Sequence, residues 1–317
     1  MAYIFGPVNS RRLGLSLGVD LVPRKTCPFD CIYCEVGPTT CKTLERREYH
    51  TEDIIRELRG FIDQGSPVDF ITLTGSGEPT LNLGLGRIMK AVKAMTEIPV
   101  AALTSGALLC DPEVRRELAA ADVILPSLDA AREETFQIIN RPAPGYSLHR
   151  LIQGLEALRR EYSGQVWLEV LILQGLNNDE AELRALKEII QRLAPDKVQL
   201  NTAVRPGVET YARPVSSQEL AEIAAYLWDG AEVIASFHGS PAPAAAISDS
   251  QFLEMLARRP MTAPDLAQAL GLPLALVQRR LNHLCDTGRI AGNVYHNQEF
   301  FRTPEGVDFF IGKGENP

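Results

Sequence analysis

Between about residue 51 and residue 237 the sequence alternates short apolar runs with amphipathic stretches, and this alternation constrains the fold more than any other feature. The runs are VDFITLTG (68–75), PVAALTS (99–105), ADVILPSLD (121–129), QVWLEVLIL (165–173), KVQLNTAV (197–204) and AEVIASF (231–237). Between them stand TEDIIRELRGFID, LGRIMKAVKAMTE, DPEVRRELAA, LHRLIQGLEALRREY, DEAELRALKEIIQRLA and SSQELAEIAAYLWD, which follow a helical pattern. Thr51 and Asp111 occupy expected N-cap positions, the first with Asp53 and Glu57 close behind. Strands that are apolar throughout and separated by helices predict a parallel sheet covered on its outer face. GVDLVP (18–23) adds one more strand at the front. The count predicts an α/β fold, a partial (β/α)6 barrel rather than an open doubly wound sheet. In a barrel, chemistry gathers at the C-terminal ends of the strands.

The texture changes at HGSPAPAAAIS (238–248), a Pro/Ala-rich break without periodicity. Beyond it the chain reads helix, helix, helix and β-hairpin, with Thr262 capping the second helix, Gly271 ending it, and Gly288 stopping the third. That is a winged-helix pattern. The expected division is a barrel over 1–240, a linker over 241–248 and a winged helix-turn-helix domain over 249–317. No stretch of about 18 apolar residues exists to span a membrane. The N-terminus MAYIFGPVNSRRLG has no signal-peptide core, so a cytoplasmic location is expected. A net charge of −8 argues against a broadly basic, phosphate-coating surface.

Six cysteines are present, and three of them crowd into CPFDCIYC: Cys27, Cys31 and Cys34. A secreted disulfide framework fits poorly in a chain of this size without a signal. A C-x3-C-x2-C loop offers three thiolates to a cubane and leaves one iron without a protein ligand, whereas four cysteines normally close a 4Fe–4S site. Zinc is the alternative, but it asks for a second half-site or nearby histidines; here the nearest is His50. Cys41, Cys110 and Cys285 are too dispersed to form a second triplet.

The triplet, with Tyr33 just before its last cysteine, resembles the signature of the radical S-adenosylmethionine (SAM) superfamily. After the next strand, TGSGEPT (74–80) resembles that family's GGEP element at Ser76, Gly77, Glu78 and Pro79, with Ser in place of the first Gly. The resemblance implies one 4Fe–4S cluster on Cys27, Cys31 and Cys34, and SAM held partly by this turn. Its physics agrees: a Gly-rich turn exposes backbone polar groups, and Glu78 can pair with an ammonium. It also implies SAM contacts from later strand ends, for which Thr104, Ser105, Ser127, Asp129 and Asn201 are the candidates. Glu169, in mid-strand, is either a layer-filling polar residue or a further SAM contact. The stretch FGPVNSRRLGLSLGVDLVP, with CEVGPTTCKTLER after the cysteines, resembles a branch grouped with the wyosine-forming enzymes of tRNA. Archaeal members of that group carry extra N-terminal cysteines for a second cluster. This chain has no cysteine before Cys27, so two-cluster chemistry is not expected.

Ser10, Arg11 and Arg12 form a candidate substrate site for an anion such as a phosphate or carboxylate. In the C-terminal unit Gln278, Arg279, Arg280, Asn282 and His283 could read bases or hold phosphates, with Arg279 and Arg280 the candidate substrate contacts. Yet residues 246–317 hold seven basic against eight acidic residues, whereas nucleic-acid modules are strongly basic. The resemblance implies an Fe–S oxidoreductase-type enzyme fed by flavodoxin or ferredoxin, in which a 5′-deoxyadenosyl radical abstracts hydrogen from substrate. A tRNA base is the first substrate expectation, with a metabolite or peptide beside it. An RNA or protein substrate could dock through the C-terminal domain. Two further readings are a glycyl-radical activase and a cluster-containing regulator acting through the winged helix. Because every expected cluster and SAM residue precedes residue 246, truncation there is expected to spare the cluster.

Overall fold

The computed structural model describes residues 3–235 and 248–304. Nearly all of the expected linker (241–247) and the end of the expected C-terminal domain (305–317) lie outside the described residues. The chain starts with an antiparallel hairpin of β1 (Ile4–Ser10) and β2 (Gly14–Asp20). A short parallel pair, β3 (Thr26–Cys27) and β4 (Cys41–Lys42), brackets the cysteine loop. There follow α1 (Thr51–Ile62), β5 (Phe70–Thr74), α2 (Leu85–Met95), β6 (Val100–Thr104), α3 (Pro112–Leu118), β7 (Val123–Pro126), α4 (Glu133–Ile139) and α5 (Leu148–Glu161). Then come β8 (Gln165–Ile172), α6 (Glu180–Leu193), β9 (Lys197–Thr202), α7 (Ser217–Leu227) and β10 (Glu232–Val233). One eight-stranded sheet runs β1-β2-β5-β6-β7-β8-β9-β10, parallel from β2 onward. An order that never doubles back, joined by helical crossovers between parallel neighbours, suits helices on one face and a sheet curled into a partial barrel.

Side-chain alternation separates the two faces. Leu17, Val19, Ile71 and Leu73 pack in the main core with Ile54, Leu58, Leu85 and Ile88 from the covering helices. Ser16, Gly18, Asp20, Thr72 and Thr74, on the same two strands, line an inner cavity of about 250 Å³. The expectation of strands apolar throughout is corrected here: β2 and β5 alternate, one face packing in the core and the other lining the cavity. The hairpin turn after β1 also reaches toward the far edge, where Arg11 Nη1 donates to Ile234 O at 3.3 Å, just past β10.

One local expectation also changes. Thr51 does not cap α1; the cap position is His50, in the left-handed region at φ 48, and the Thr51 side chain is buried. It packs so close to Gly84 that a Cβ there would lie 1.9 Å from its hydroxyl. Asp111 caps α3 as expected, accepting from Glu113 N.

The C-terminal unit consists of α8 (Asp249–Arg258), α9 (Ala263–Leu270), α10 (Leu274–Asp286) and the hairpin of β11 (Ala291–Tyr295) and β12 (Gln298–Arg302). Thr262 caps α9 and Gly271 ends it at φ 63. Its core, around Phe252, Leu256, Leu266, Val277, Leu281 and Phe301, takes in Val8 from β1. Asn9 Nδ2 donates to Gln268 O at 2.8 Å, and Arg24 Nη1 to Ala257 O at 2.7 Å. The unit is therefore docked on the N-terminal hairpin. Among the described residues no helix is long and apolar enough to cross a membrane.

Candidate active site

Cys27 ends β3, and Cys31 and Cys34 follow on a loop whose backbone is tied to α4, with Ile32 N donating to Ile139 O (2.9 Å) and Asp30 N to Asn140 O (3.0 Å). All six cysteines are free, and Cys27, Cys31 and Cys34 are half-buried. Asn140 Nδ2 approaches Cys31 Sγ at 3.5 Å and Lys25 Nζ approaches Cys34 Sγ at 3.1 Å. Burial, then the Glu78 carboxylate, pushes the Cys27 thiol well above its ordinary value. Burial and Asp129 push Cys31 up to about 12. Such thiols stay protonated at neutral pH unless positive charge compensates, and a bound metal does so outright. Among the described residues no three His, Cys, Asp or Glu side chains converge as a single ion would require. A cubane takes its thiolates at separate iron corners. The donor set, three thiols with amine and amide N–H groups at two of the sulfurs, fits a 4Fe–4S cluster with one open corner.

The cysteine loop and the TGSGEPT turn form one unit. Glu78 N donates to Thr26 O at 2.9 Å, and Lys25 N to Ser76 O at 2.7 Å. Gly77 is forced by this approach: a Cβ there would sit 2.0 Å from Thr26 O. The Ser that replaces glycine at 76 also has a partner, since its N and Oγ donate to Asp20 at 2.8 and 2.5 Å. Glu78 is buried and accepts five hydrogen bonds, from Thr80 N and Oγ1, Thr104 Oγ1, and Ser105 N and Oγ. Its carboxylate thus ties this turn to the end of β6 and does not face open space. Pro79 opens the one-turn 3₁₀ helix Pro79–Leu81 beside it.

Asp129 is also buried, accepting from the Tyr33 hydroxyl, Asn140 Nδ2 (2.8 Å) and Leu171 N (3.0 Å). Burial raises its carboxyl above the usual range, against the pull of the Tyr33 and Asn140 donors. Tyr33 and Asp129 thereby fix the loop between Cys31 and Cys34 against the end of β7. Ser127 N donates to Thr104 O at 3.2 Å in the same layer. Asn201 Nδ2 donates to Glu169 at 3.0 Å, and Arg12 Nη1 meets the other oxygen of Glu169 at 2.6 Å. That pairing accounts for a carboxylate in mid-strand.

Beside the cysteine loop lies the cavity. Arg11, Arg12, Arg258 and Arg259 reach it, together with Asp20, Glu35, Gly75 and Ser76. Arg258 Nη1 pairs with Asp20 at 2.8 Å, and its guanidinium stacks 4.0 Å from the Phe5 ring centroid. Glu35, directly after Cys34, pairs with Arg205 at 3.1 Å and lies 4.0 Å from both Arg11 and Arg259. Burial works to raise its carboxyl, and Arg205, Arg259 and Arg11 together hold it at about 2. Arg302 Nη2 donates to Val36 O at 3.0 Å.

The expected site residues therefore fall into connected groups around the barrel mouth, with exceptions. Ser10 serves the hairpin turn, its Oγ accepting from Arg12 N and Leu13 N. Arg279 is exposed on α10 and Arg280 packs over Phe252 at 5.3 Å, both away from this cavity. Cys41 is exposed on β4, Cys110 donates to Arg150 O, and Cys285 packs against the C-terminal core. Sequence reasoning missed Asp20, Glu35, Asn140, Arg205, Arg258 and Arg259. Two carried a signal: Asp20 ends a barrel strand, and Glu35 follows a cluster cysteine.

Residues 21–186 match the Radical SAM superfamily. A UPF0026 protein of Methanocaldococcus jannaschii is 35% identical over 228 residues, 71% of this chain and 71% of that protein. A Brachyspira hyodysenteriae protein named GTPase Obg is 34% identical over 292 residues; the match spans 90% of this chain but 43% of that protein. The fold is similar to that of a radical SAM methyltransferase from Sphaerobacter thermophilus, at a TM-score of 0.51 and 18% identity, over 72% of this chain and 67% of that one.

Proposed function

The chain belongs to the radical SAM superfamily, and from that premise we propose that it cleaves SAM reductively at one 4Fe–4S cluster held by Cys27, Cys31 and Cys34, and uses the product radical on a substrate in the barrel lumen. Cys27, Cys31 and Cys34 would hold that cluster, which would supply the electron for reductive cleavage of SAM and so the radical hydrogen abstraction proposed here. The observation that carries the reading is the junction of the two motifs. Thr26 O, one residue before Cys27, accepts from Glu78 N and leaves no room for a side chain at position 77.

The protein's own contribution is positioning and exclusion. Glu78 holds Thr104 and Ser105 in place beside the turn, so the backbone of Gly75 and Ser76 faces the cavity in a fixed geometry. Tyr33, Asp129 and Asn140 clamp the loop that presents the thiols. Residues of the N-terminal hairpin and of α8 line the cavity beside this turn. Flavodoxin or ferredoxin is the proposed electron donor.

For the substrate, the wyosine-type resemblance favours a tRNA base, and the helix–helix–helix–hairpin order of the C-terminal unit supports the winged-helix reading. The geometry favours a smaller molecule, because Arg279 and Arg280 of α10 lie away from the cavity while Arg258, at the end of α8, and Arg259, just past it, border it. The test is anaerobic: with dithionite and SAM, reconstituted protein releases 5′-deoxyadenosine slowly even without substrate. A fully loaded cluster that releases none contradicts the proposal.

A further inference from the structure

We propose that Lys25 acts through Cys34 as a positioning residue for the cluster, its buried ammonium donating to Cys34 Sγ and making the cluster easier to reduce. This deepens the reading above and rests on it, since the cluster proposed there is what the ammonium acts on. Lys25 is 6% exposed, and its Nζ lies 3.1 Å from Cys34 Sγ. Among the described residues that sulfur is the hydrogen-bond partner of the ammonium, and no carboxylate pairs with it. A buried ammonium is costly unless a negative charge opposes it. A thiolate on iron supplies that charge, whereas a neutral thiol is only a weak acceptor.

The backbone points the same way. Lys25 stands at φ 60, in the left-handed region that favours glycine. Its backbone joins three segments: its N donates to Ser76 O at 2.7 Å, and its O accepts from Thr40 N at 3.1 Å and from Cys41 N at 3.0 Å. Glycine would make the same bonds at less conformational cost, so the turn by itself does not call for lysine. Its side chain has its use at Cys34. Arg24, one residue earlier, is exposed and donates to Ala257 O and Val36 O. The two adjacent basic residues thus divide between the surface and the cysteine loop.

The surroundings of the three sulfurs differ. Beside burial, the Glu78 carboxylate acts on Cys27 and Asp129 on Cys31, both as negative neighbours. Asn140 Nδ2 reaches Cys31 Sγ at 3.5 Å but binds Asp129 more closely, at 2.8 Å. Two sulfurs therefore lie near negative charge and the third against a positive one. An added electron makes the site more negative, which the carboxylates oppose and the ammonium favours. Potentials of iron–sulfur centres follow net charge and hydrogen bonds to sulfur, and buried charges are screened less than exposed ones. Removal of the ammonium thus makes reduction harder.

A redox titration of the anaerobically reconstituted full chain, without SAM and followed by electron paramagnetic resonance, tests the proposal, with iron assayed on every sample. Lys25→Met is expected to weaken reduction about tenfold, which for one electron lowers the midpoint potential by about 59 mV. Lys25→Gly, which suits the backbone turn, is expected to do the same, and Lys25→Arg to stay nearer the parent. Lys42→Gln removes an exposed charge at the position paired with Cys27 and is expected to change nothing. Equal potentials in the loaded parent, Lys25→Met and Lys25→Gly overturn this inference alone. An equal shift in Lys42→Gln overturns it in favour of a general effect of charge. Loss of iron from both Lys25→Met and Lys25→Gly overturns it too, because the lysine then serves assembly and not the potential. A parent that holds no cluster defeats the enzyme reading and this inference together. The expected shift without any cleavage of SAM defeats the enzyme reading and leaves the role of Lys25 standing.

Discussion

The cysteine loop and the arginine-bordered cavity lie side by side in the barrel mouth, and their polar groups are held in different ways. Around the loop, carboxylates are satisfied by neutral protein donors: Glu78 accepts five hydrogen bonds and Asp129 three. Around the cavity, Glu35 is shared among Arg205, Arg259 and Arg11 at increasing strain of distance, and like charges crowd. The first is a fixed frame whose carboxylates are satisfied without a ligand, although Asn140 Oδ1 beside the cysteine loop is buried without a hydrogen-bond partner. In the second, several guanidiniums share one carboxylate at mixed distances. A frame of the first kind suits a cofactor common to a whole superfamily, and a cavity of the second kind suits whatever substrate distinguishes one member.

The comparison breaks most sharply at Gly77. Gly77→Ala places a Cβ 2.0 Å from Thr26 O, so the turn and the cysteine loop have to separate. The expected outcome is loss of most of the iron, read by iron assay after reconstitution. Removal of the chain beyond residue 246 comes next. The sequence alone expected the cluster to survive it, but the structure removes Arg258 from Asp20, Arg259 from Glu35 and Arg302 from Val36 O, all close to the loop. Truncated protein is therefore expected to keep less iron than the full chain. Full iron retention would show the frame to be independent of the cavity wall.

Glu78→Ala leaves buried hydroxyls and backbone N–H groups without their acceptor, at about 2–4 kcal/mol, read from denaturant midpoints. SAM affinity should fall with it while cations in the cavity stay as they are. Ser76→Gly, which restores the glycine of the resembled motif, removes one hydrogen bond to Asp20 and costs about 1 kcal/mol. Its effect should be felt on the cavity side, through Arg258, more than on iron content.

What was legible in the sequence follows the same divide. The frame is local: the thiols, Tyr33 and the TGSGEPT turn are short runs whose spacing carries their chemistry, and the strands announce themselves as apolar runs. The cavity is assembled from distant parts, with Arg258 and Asp20 separated by 238 positions and Arg205 and Glu35 by 170. No periodicity encodes such a meeting. Arg11 and Arg12 were singled out only because they stand together in a turn. Strand β1 was missed because Gly6 and Pro7 punctuate it like a loop. The structure accommodates them with an irregularity between Phe5 and Val8 on the edge strand, where a missing N–H goes unneeded. Thr51 reads as a cap because its type is right; the packing against Gly84 that buries it is a tertiary fact.

The central claim is that three cysteines, and no others, hold one cubane. Iron and sulfide assay of the anaerobically reconstituted chain and its single Cys→Ala variants measures it directly. The account predicts about four irons per chain in the parent and in the variants at Cys41, Cys110 and Cys285, and none bound stably in those at Cys27, Cys31 or Cys34. About eight irons per chain, or stoichiometric zinc in place of iron, would contradict it.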